Sequence, residues 1–343
     1  MEKRKKRRSK RRLFILALAL LFTAALFTTS TYAWFTANKT VKIEQLKVNV
    51  EAQNGIQISA DGTNWKTLIQ TQDFKNVRTT TYQSVVNQIP TSMSPVSTIG
   101  TVDDNGQMEM FYGTVGSDTN GNSILTAAKE TDQDADSGKY IAVDVFFKVD
   151  GEEDVYITSA SGVNAYAATG TPLDKGIKNA ARIAFVNLGH TNSGDTTGNI
   201  QGLGIGAGLT RSTTIWEPNY NTHTDSAVGQ ARDVYGATVT ADDQNEALAY
   251  SGVKAAIAAD DHVLLNVTSP TQYTTRNADF FSTVNPQLKT VTDFSEQFLA
   301  FHLQAGITKF RIYMWVEGQD VDCENNASGD DISFDFQFTT TTS

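Results

Sequence analysis

The stretch Tyr140-Ile141-Ala142-Val143-Asp144-Val145-Phe146-Phe147-Lys148-Val149 decides the fold class. It is short and rich in β-branched and aromatic residues, which is typical of a strand buried in a sheet. The turn Asp150-Gly151-Glu152-Glu153 follows it, and the apolar residues resume at Val155-Tyr156-Ile157-Thr158. The pattern predicts a core strand that turns and returns as a second strand.

Similar patterns recur along the chain. Alternating apolar and polar residues predict further strands at Val41–Val50, with a slip near Gln45-Leu46, and at Ile56–Ile58, Lys178–Asn187, Leu299–Leu303, Phe310–Val316 and Ile332–Phe338. Asp61-Gly62 marks a hairpin turn after the strand Ile56–Ile58. Residues 86–123 are rich in turn residues and predict loops with short strands, and the Gly-rich stretch 198–208 predicts a loop. Gln244–Ala259 is the best helix candidate. Together these features predict an all-β, jelly-roll-like β-sandwich with long loops and a small helical decoration.

The N-terminus predicts export. Nine basic residues lie between Lys3 and Arg12, an apolar run covers Leu13–Phe27, and a polar run of small residues leads to Ala33. This order is typical of a secretory signal peptide, here residues 1–33, with cleavage by a signal peptidase between Ala33 and Trp34. The alternative is an uncleaved anchor that meets the membrane only through residues 13–33. Either way, we expect the rest of the chain to be extracellular, secreted or at the cell surface.

Charge and cysteine content limit the partners. Residues 1–33 carry nine basic residues and one acid, so the remainder has 19 basic and 37 acidic residues and a net charge of −18. This balance argues against nucleic acid, whose binding needs a basic surface. It suits a soluble exposed surface and divalent cations. The single cysteine, Cys323, excludes a disulfide within one chain.

The exported part divides into two predicted regions. Residues 34–50 form an extended N-terminal segment, which is a candidate donor strand for a neighbouring subunit. The alternative is that the same strand pairs within its own sheet. Residues 51–343 form the sandwich domain, with an insertion at about 190–290 that is polar and uneven.

Two segments carry a family resemblance. Thr31-Tyr32-Ala33-Trp34-Phe35-Thr36-Ala37-Asn38, directly after a short apolar run, resembles the export signal of the TasA/camelysin class of Gram-positive proteins. The segment from Phe310 to Cys323, followed by a closing strand, is similar to C-terminal segments of surface proteins with this signal. The resemblance implies a dedicated ER-type signal peptidase, a jelly-roll fold and subunits of extracellular biofilm-matrix fibres that donate their N-terminal strand.

Acidic clusters are the main candidates for chemistry. Asp132, Asp134 and Asp136 alternate before Gly138, a spacing at which carboxylates converge on calcium. Asp320 and Asp322, near Glu324, form a second group. Both groups predict calcium sites, and the alternative is a pair of solvated acidic turns.

The remaining motifs do not predict an enzyme. None of the four histidines, His190, His223, His262 and His302, lies in an H-E-x-x-H motif, and no G-x-S-x-G motif is present. We therefore expect a non-enzymatic, self-associating structural protein of the cell surface or extracellular matrix. The alternatives are a monomeric surface module that binds carbohydrate or a host ligand, and a metal-dependent hydrolase, since camelysin has been classed as a metalloprotease.

Overall fold

The structure is a computed structural model, and it describes residues 41–50, 55–75, 77, 82–121, 123–132, 137–167, 169–233, 247–248, 250–263, 278–288, 298–324, 327 and 330–340. The predicted signal peptide, its cleavage site between Ala33 and Trp34, and two predicted calcium ligands, Asp134 and Asp136, lie outside these residues. No helix within the described part of the chain is long and apolar enough to span a membrane.

Seventeen strands form the described fold: β1 (Val41–Val50), β2 (Gln57–Ser59), β3 (Leu68–Gln70), β4 (Asn87–Gln88), β5 (Ser92–Met93), β6 (Met110–Ser117), β7 (Ser123–Glu130), β8 (Ile141–Val149), β9 (Glu153–Ile157), β10 (Gly162–Ala165), β11 (Ala181–Thr191), β12 (Ser212–Trp216), β13 (Ser251–Val253), β14 (Phe281–Thr283), β15 (Phe298–Leu303), β16 (Gly306–Val316) and β17 (Asp331–Thr340). The described helices are short: α1 (Thr71–Phe74), α2 (Thr197–Gln201), α3 (Asp225–Asp233) and the 3-10 turns Ile177–Ala180 and Ala259–Asp261.

Two sheets build the sandwich. Sheet I has the strand order β15-β9-β17-β1-β3, with β10 beside β17 and β5 beside β1. Sheet II has the order β12-β11-β16-β8-β2, with β4 beside β8. The described residues are 44% strand and 10% helix, so the predicted all-β sandwich with little helix is confirmed.

The core lies between the two sheets, where their aromatic side chains meet. The Phe147 ring of sheet II lies 5.5 Å from the Phe338 ring of sheet I, and Phe185 lies 6.2 Å from Phe336. Both contacts are edge-on, the arrangement that aromatic quadrupoles favour. The alternation of Phe334, Phe336 and Phe338 along β17 therefore places this strand's apolar face in the core.

Two turns between apolar strands connect different sheets. β8 lies in sheet II and β9 in sheet I, so the turn at Asp150-Gly151 crosses the sandwich and does not close a hairpin. The turn at Ala305-Gly306 joins β15 of sheet I to β16 of sheet II in the same way. A change of register between Leu299 and Phe301 also turns Leu299 outward, and it is 49% exposed. The alternation predicted that the apolar residues of Leu299–Leu303 face the core, and this prediction is wrong at Leu299.

The helix prediction for Gln244–Ala259 is wrong at residues 247–248 and 250–258, and a 3-10 turn begins only at Ala259. Ser251–Val253 forms strand β13, which pairs with β14. A β-carbon on Gly252 would lie 2.3 Å from the carbonyl oxygen of Thr98, so the backbone approaches a neighbouring loop more closely than a side chain allows. This tertiary contact overrides the helical preference of the alanines around it.

The predicted insertion at about 190–290 contributes to the sandwich. β12, within this range, is the end strand of sheet II and pairs with β11 over five residue pairs. α2, α3 and the antiparallel pair of β13 and β14 also lie in it. Within 86–123, where short strands were predicted, β6 is eight residues long, and it pairs with β7, which begins at Ser123 and runs beyond that range.

Candidate functional site

Both faces of strand β16 are buried. Its inner residues, among them Phe310, Ile312 and Met314, belong to the sandwich core. Its outer face and the residue that follows the strand carry large polar groups that are likewise fully buried: Lys309, Arg311, Tyr313, Trp315 and Glu317. The sequence predicted the alternation along this strand, and the structure adds that the polar face lies away from solvent.

Loops cover this polar face and use its hydrogen-bonding groups. The backbone N–H of Met108 donates to the Tyr313 hydroxyl (2.9 Å), and Arg311 Nη1 donates to the carbonyl of Gly106 (3.0 Å). Lys309 Nζ donates to the carbonyl of Gln201, at the end of α2, at 3.0 Å. The loops that cover the outer face of sheet II therefore bind to it through hydrogen bonds. These bonds provide partners for polar groups that are buried away from water.

One end of the polar face carries a charge-balanced network around Asp144. Arg311 donates from Nε (2.7 Å) and Nη2 (3.2 Å) to the two carboxylate oxygens, and Lys309 Nζ lies 3.2 Å from Oδ2. All three side chains are fully buried. Burial alone would raise the pKa of Asp144, but Arg311 and Lys309 outweigh it, so the pKa is lowered and the carboxylate stays charged.

Asp132 joins the same network. Its carboxylate accepts hydrogen bonds from the hydroxyls of Tyr140 (2.8 Å) and Tyr313 (2.7 Å), and Arg311 Nη1 lies 3.5 Å away. Burial raises the pKa of Asp132 against the attraction of Arg311. The network thus contains two cations and two carboxyl groups. We call Asp132, Asp144, Lys309 and Arg311 the Arg311 network.

The other end of the polar face carries an excess of acids. Arg182 of β11 is fully buried, and its Nη2 atom contacts two carboxylates, Glu217 Oε1 at 2.8 Å and Asp320 Oδ2. Its guanidinium also lies over the Tyr250 ring, 5.0 Å from the centroid. The turn that follows β16 supplies Asp320, and the end of β12 supplies Glu217, so Arg182 ties three elements together.

Further acids of this turn bind the segment that leads into α3. His223 Nδ1 lies 2.6 Å from Asp322 Oδ2, and both side chains are buried. The hydroxyls of Thr224 and Ser226 donate to the Glu324 carboxylate. Five acids at this end of the polar face form what we call the buried acid cluster: Glu217, Glu317, Asp320, Asp322 and Glu324. Arg182 and His223 contact members of this cluster.

Burial changes the titration of these acids. It raises the pKa of Glu217 to about 7 although Arg182 opposes the change. It also raises the pKa of Glu317 to about 7, against hydrogen bonds from Ser97 and Trp315. The pKa of Asp322 rises to about 6, again mainly through burial and against His223. The cluster therefore binds protons near neutral pH.

The predicted calcium ligands have protein partners where they are described. Asp132 faces Arg311 and two tyrosines, Asp320 faces Arg182, and Asp322 faces His223. Within the described ranges, no three His, Cys, Asp or Glu side chains are arranged to hold a metal ion. Calcium binding at these residues, and at Asp134 and Asp136 beyond the described ranges, stays a prediction.

The same geometry bears on the two alternative functions. The His223–Asp322 pair resembles the base and orienting acid of hydrolases, but the nearby Ser226 hydroxyl donates to Glu324, and the pair is buried. Trp216 and Trp315 are also buried, so neither offers a platform for a sugar ring.

Sequence reasoning missed the residues that organise both ends of the polar face. Asp144, Lys309 and Arg311 stand inside strands with strongly apolar neighbours, and Arg182 stands in the predicted strand Lys178–Asn187. A charged residue within such a strand is costly to bury unless it is paired. That signal was present in the sequence, but it did not identify the partners, which lie far away along the chain.

Comparison with known proteins gives no relative from which a function could be transferred. The chain matches no protein-family model, no curated protein and no solved structure.

Proposed function

We propose that this protein is a secreted structural subunit of the cell surface or extracellular matrix, which self-assembles by exchanging its N-terminal strand between neighbouring chains. The signal peptidase that removes residues 1–33 would leave Trp34 as the first residue. The strand β1 begins only seven residues later, at Val41. Export would thus produce a new N-terminus close to an exchangeable strand.

The observation that carries the proposal is the place of β1 in sheet I. β1 lies between β17 on one side and β3 and β5 on the other. It pairs with β17 in parallel, from Lys42 opposite Asp331 to Val50 opposite Phe338. A strand in this position fills a slot in the sheet, and the same slot can accept the β1 strand of a second chain.

The pairing of β1 with β17 depends little on local chain geometry. A tight turn joins antiparallel neighbours, whereas parallel neighbours need a long connection, and here the whole domain separates the two strands. The register instead places residues of opposite charge across from each other, Lys42 opposite Asp331 and Lys47 opposite Asp335. This register is available equally within a chain and between chains.

Other features fit a structural role. The Arg311 network is charge-balanced, and its side chains bond to one another and to the covering loops, which suits stabilisation of the fold. The acidic exported part, with a net charge of −18 from 19 basic and 37 acidic residues, suits an exposed surface. The proposed partners are therefore other copies of the same chain, apart from the signal peptidase.

Electron microscopy of two purified proteins tests this function. The first begins at Trp34, and the second begins at Glu51 and therefore lacks β1. We expect filaments from the first protein above a threshold concentration and none from the second. The strand Trp34–Val50, added as a peptide to the shortened protein, should restore its thermal stability without forming filaments. Filaments of the protein that begins at Glu51 would contradict strand exchange.

A further inference from the structure

The buried acid cluster has too few cations for its acids. Five carboxyl groups lie within it, all at most 6% exposed: Glu217 2%, Glu317 0%, Asp320 3%, Asp322 1% and Glu324 6%. Among the side chains that the structure describes, Arg182 is the permanently charged cation that contacts them, and His223 adds a positive charge only when it is protonated. The Arg311 network, on the same face of sheet II, has two cations for two carboxyl groups. Several like charges in a low-dielectric interior repel one another, and binding a proton relieves that repulsion.

Arg182 shows the imbalance directly. A single nitrogen, Nη2, contacts both Glu217 and Asp320. Two carboxylates that share one cationic nitrogen leave one negative charge uncompensated. The backbone N–H of Asp322 also donates to Asp320 Oδ1 (2.8 Å). Burial raises the pKa of Glu217 to about 7, so Glu217 takes a proton near neutral pH.

A buried hydroxyl lies near the same charges. The Tyr250 hydroxyl is buried and has no hydrogen-bond partner among the described residues, and the Arg182 Nε atom has none there either. Glu317, Arg182 and Glu217 are the charges that act most strongly on Tyr250. A tyrosine hydroxyl can donate to a carboxylate or accept from a protonated carboxyl group, so it is compatible with both protonation states of these acids.

We propose that the buried acid cluster is a proton-operated latch, which holds the turn Glu317–Glu324 against β11, β12 and the start of α3 most tightly when Glu217 and Glu317 carry protons. Acidification from alkaline to mildly acidic pH then stabilises the folded subunit. The charged and titratable groups that face these two acids are Arg182, Asp320, Asp322, His223, Tyr250 and Cys323. Along the chain, β17 begins at Asp331, seven residues after Glu324.

The direction of the effect follows from proton linkage. A carboxyl group whose pKa is higher in the folded protein than in the unfolded chain binds its proton more tightly when folded. Its stabilising effect is complete below the ordinary value of about 4.5 and is lost as the pH rises to about 7. Groups with lowered pKa, such as Asp61 at about 2, act in the opposite direction, but only at lower pH.

The test is the urea-unfolding equilibrium of the protein that begins at Trp34, measured from pH 5 to pH 8 at concentrations that keep it monomeric. One group with a pKa of about 7 when folded and about 4.5 when unfolded raises the unfolding constant roughly 70-fold over this range. We expect wild-type stability to fall with rising pH. A wild-type stability that is flat or rises towards pH 8 would overturn the latch, whatever the variants do.

Four variants assign the effect to its residues. Glu217→Gln and Glu317→Gln keep the shape of a neutral carboxyl group, so each should remove a large part of the pH slope and gain stability at pH 8 relative to wild type. Glu152→Gln removes the same charge from an exposed position and should leave the slope unchanged. His223→Gln should retain most of the slope. A slope that survives both cluster variants, or that disappears with His223→Gln alone, would overturn the assignment.

Discussion

Replacement of Asp144 by alanine is predicted to be among the most damaging single changes in the sandwich. Five donor atoms surround the Asp144 carboxylate: Arg311 Nε at 2.7 Å and Nη2 at 3.2 Å, Lys309 Nζ at 3.2 Å, the Tyr82 hydroxyl at 3.3 Å and the Val86 N–H at 3.2 Å. Its removal leaves two fully buried cations without that partner. Breaking a buried ion pair from one side costs about 3–5 kcal/mol, a large share of the 5–15 kcal/mol by which domains are typically stable.

Urea unfolding followed by tryptophan fluorescence measures this cost, because Trp216 and Trp315 are buried in the folded protein. The matched control is Glu109→Ala, which breaks the partly exposed Lys129–Glu109 pair (2.9 Å) and should cost at most about 1 kcal/mol. If Asp144→Ala costs no more than Glu109→Ala, the Arg311 network does not hold the sheet as described.

Two further substitutions test the packing. Phe147→Ala should lower the free energy of unfolding by about 3–5 kcal/mol in the same assay, because the Phe147 ring is fully buried and contacts Phe338 across the two sheets. A loss below about 1 kcal/mol would mean that the sheets are not packed through these rings. Gly252→Ala should cost at least about 1 kcal/mol, because the new β-carbon would lie 2.3 Å from the Thr98 carbonyl oxygen. Gly151→Ala, where the β-carbon meets nothing within 4 Å, is the control and should change stability little.

The sequence was most informative where one strand carries its own pattern. The alternation along Phe310–Val316 and Ile332–Phe338 predicted β16 and β17 because side chains of a strand point to opposite faces at every second residue. Val41–Val50 was likewise predicted as a strand, and its interruption, predicted near Gln45-Leu46, lies between Ile43 and Gln45. These features depend only on neighbouring residues.

The sequence was least informative where distant segments meet. Lys309 and Arg311 occupy the outer positions of β16, which an alternating pattern assigns to solvent. They are buried because the loops around Gly106 and Gln201 cover them, and no local pattern indicates that cover. The turn at Ala305-Gly306 shows the same limit, since a turn between two apolar runs is compatible with a hairpin and with a crossing between sheets.

The exchange of β1 between chains is tested most directly by disulfide formation between two variants. One carries Lys47→Cys and the other Asp335→Cys, both in a Cys323→Ser background, so neither can form this disulfide alone. Lys47 and Asp335 are register partners on neighbouring strands, whose separation of about 4.8 Å suits a disulfide. Strand exchange predicts that filaments grown from the mixture contain dimers linked between residues 47 and 335. Filaments without that mixed disulfide, although both variants assemble, would contradict strand exchange and place β1 within its own chain.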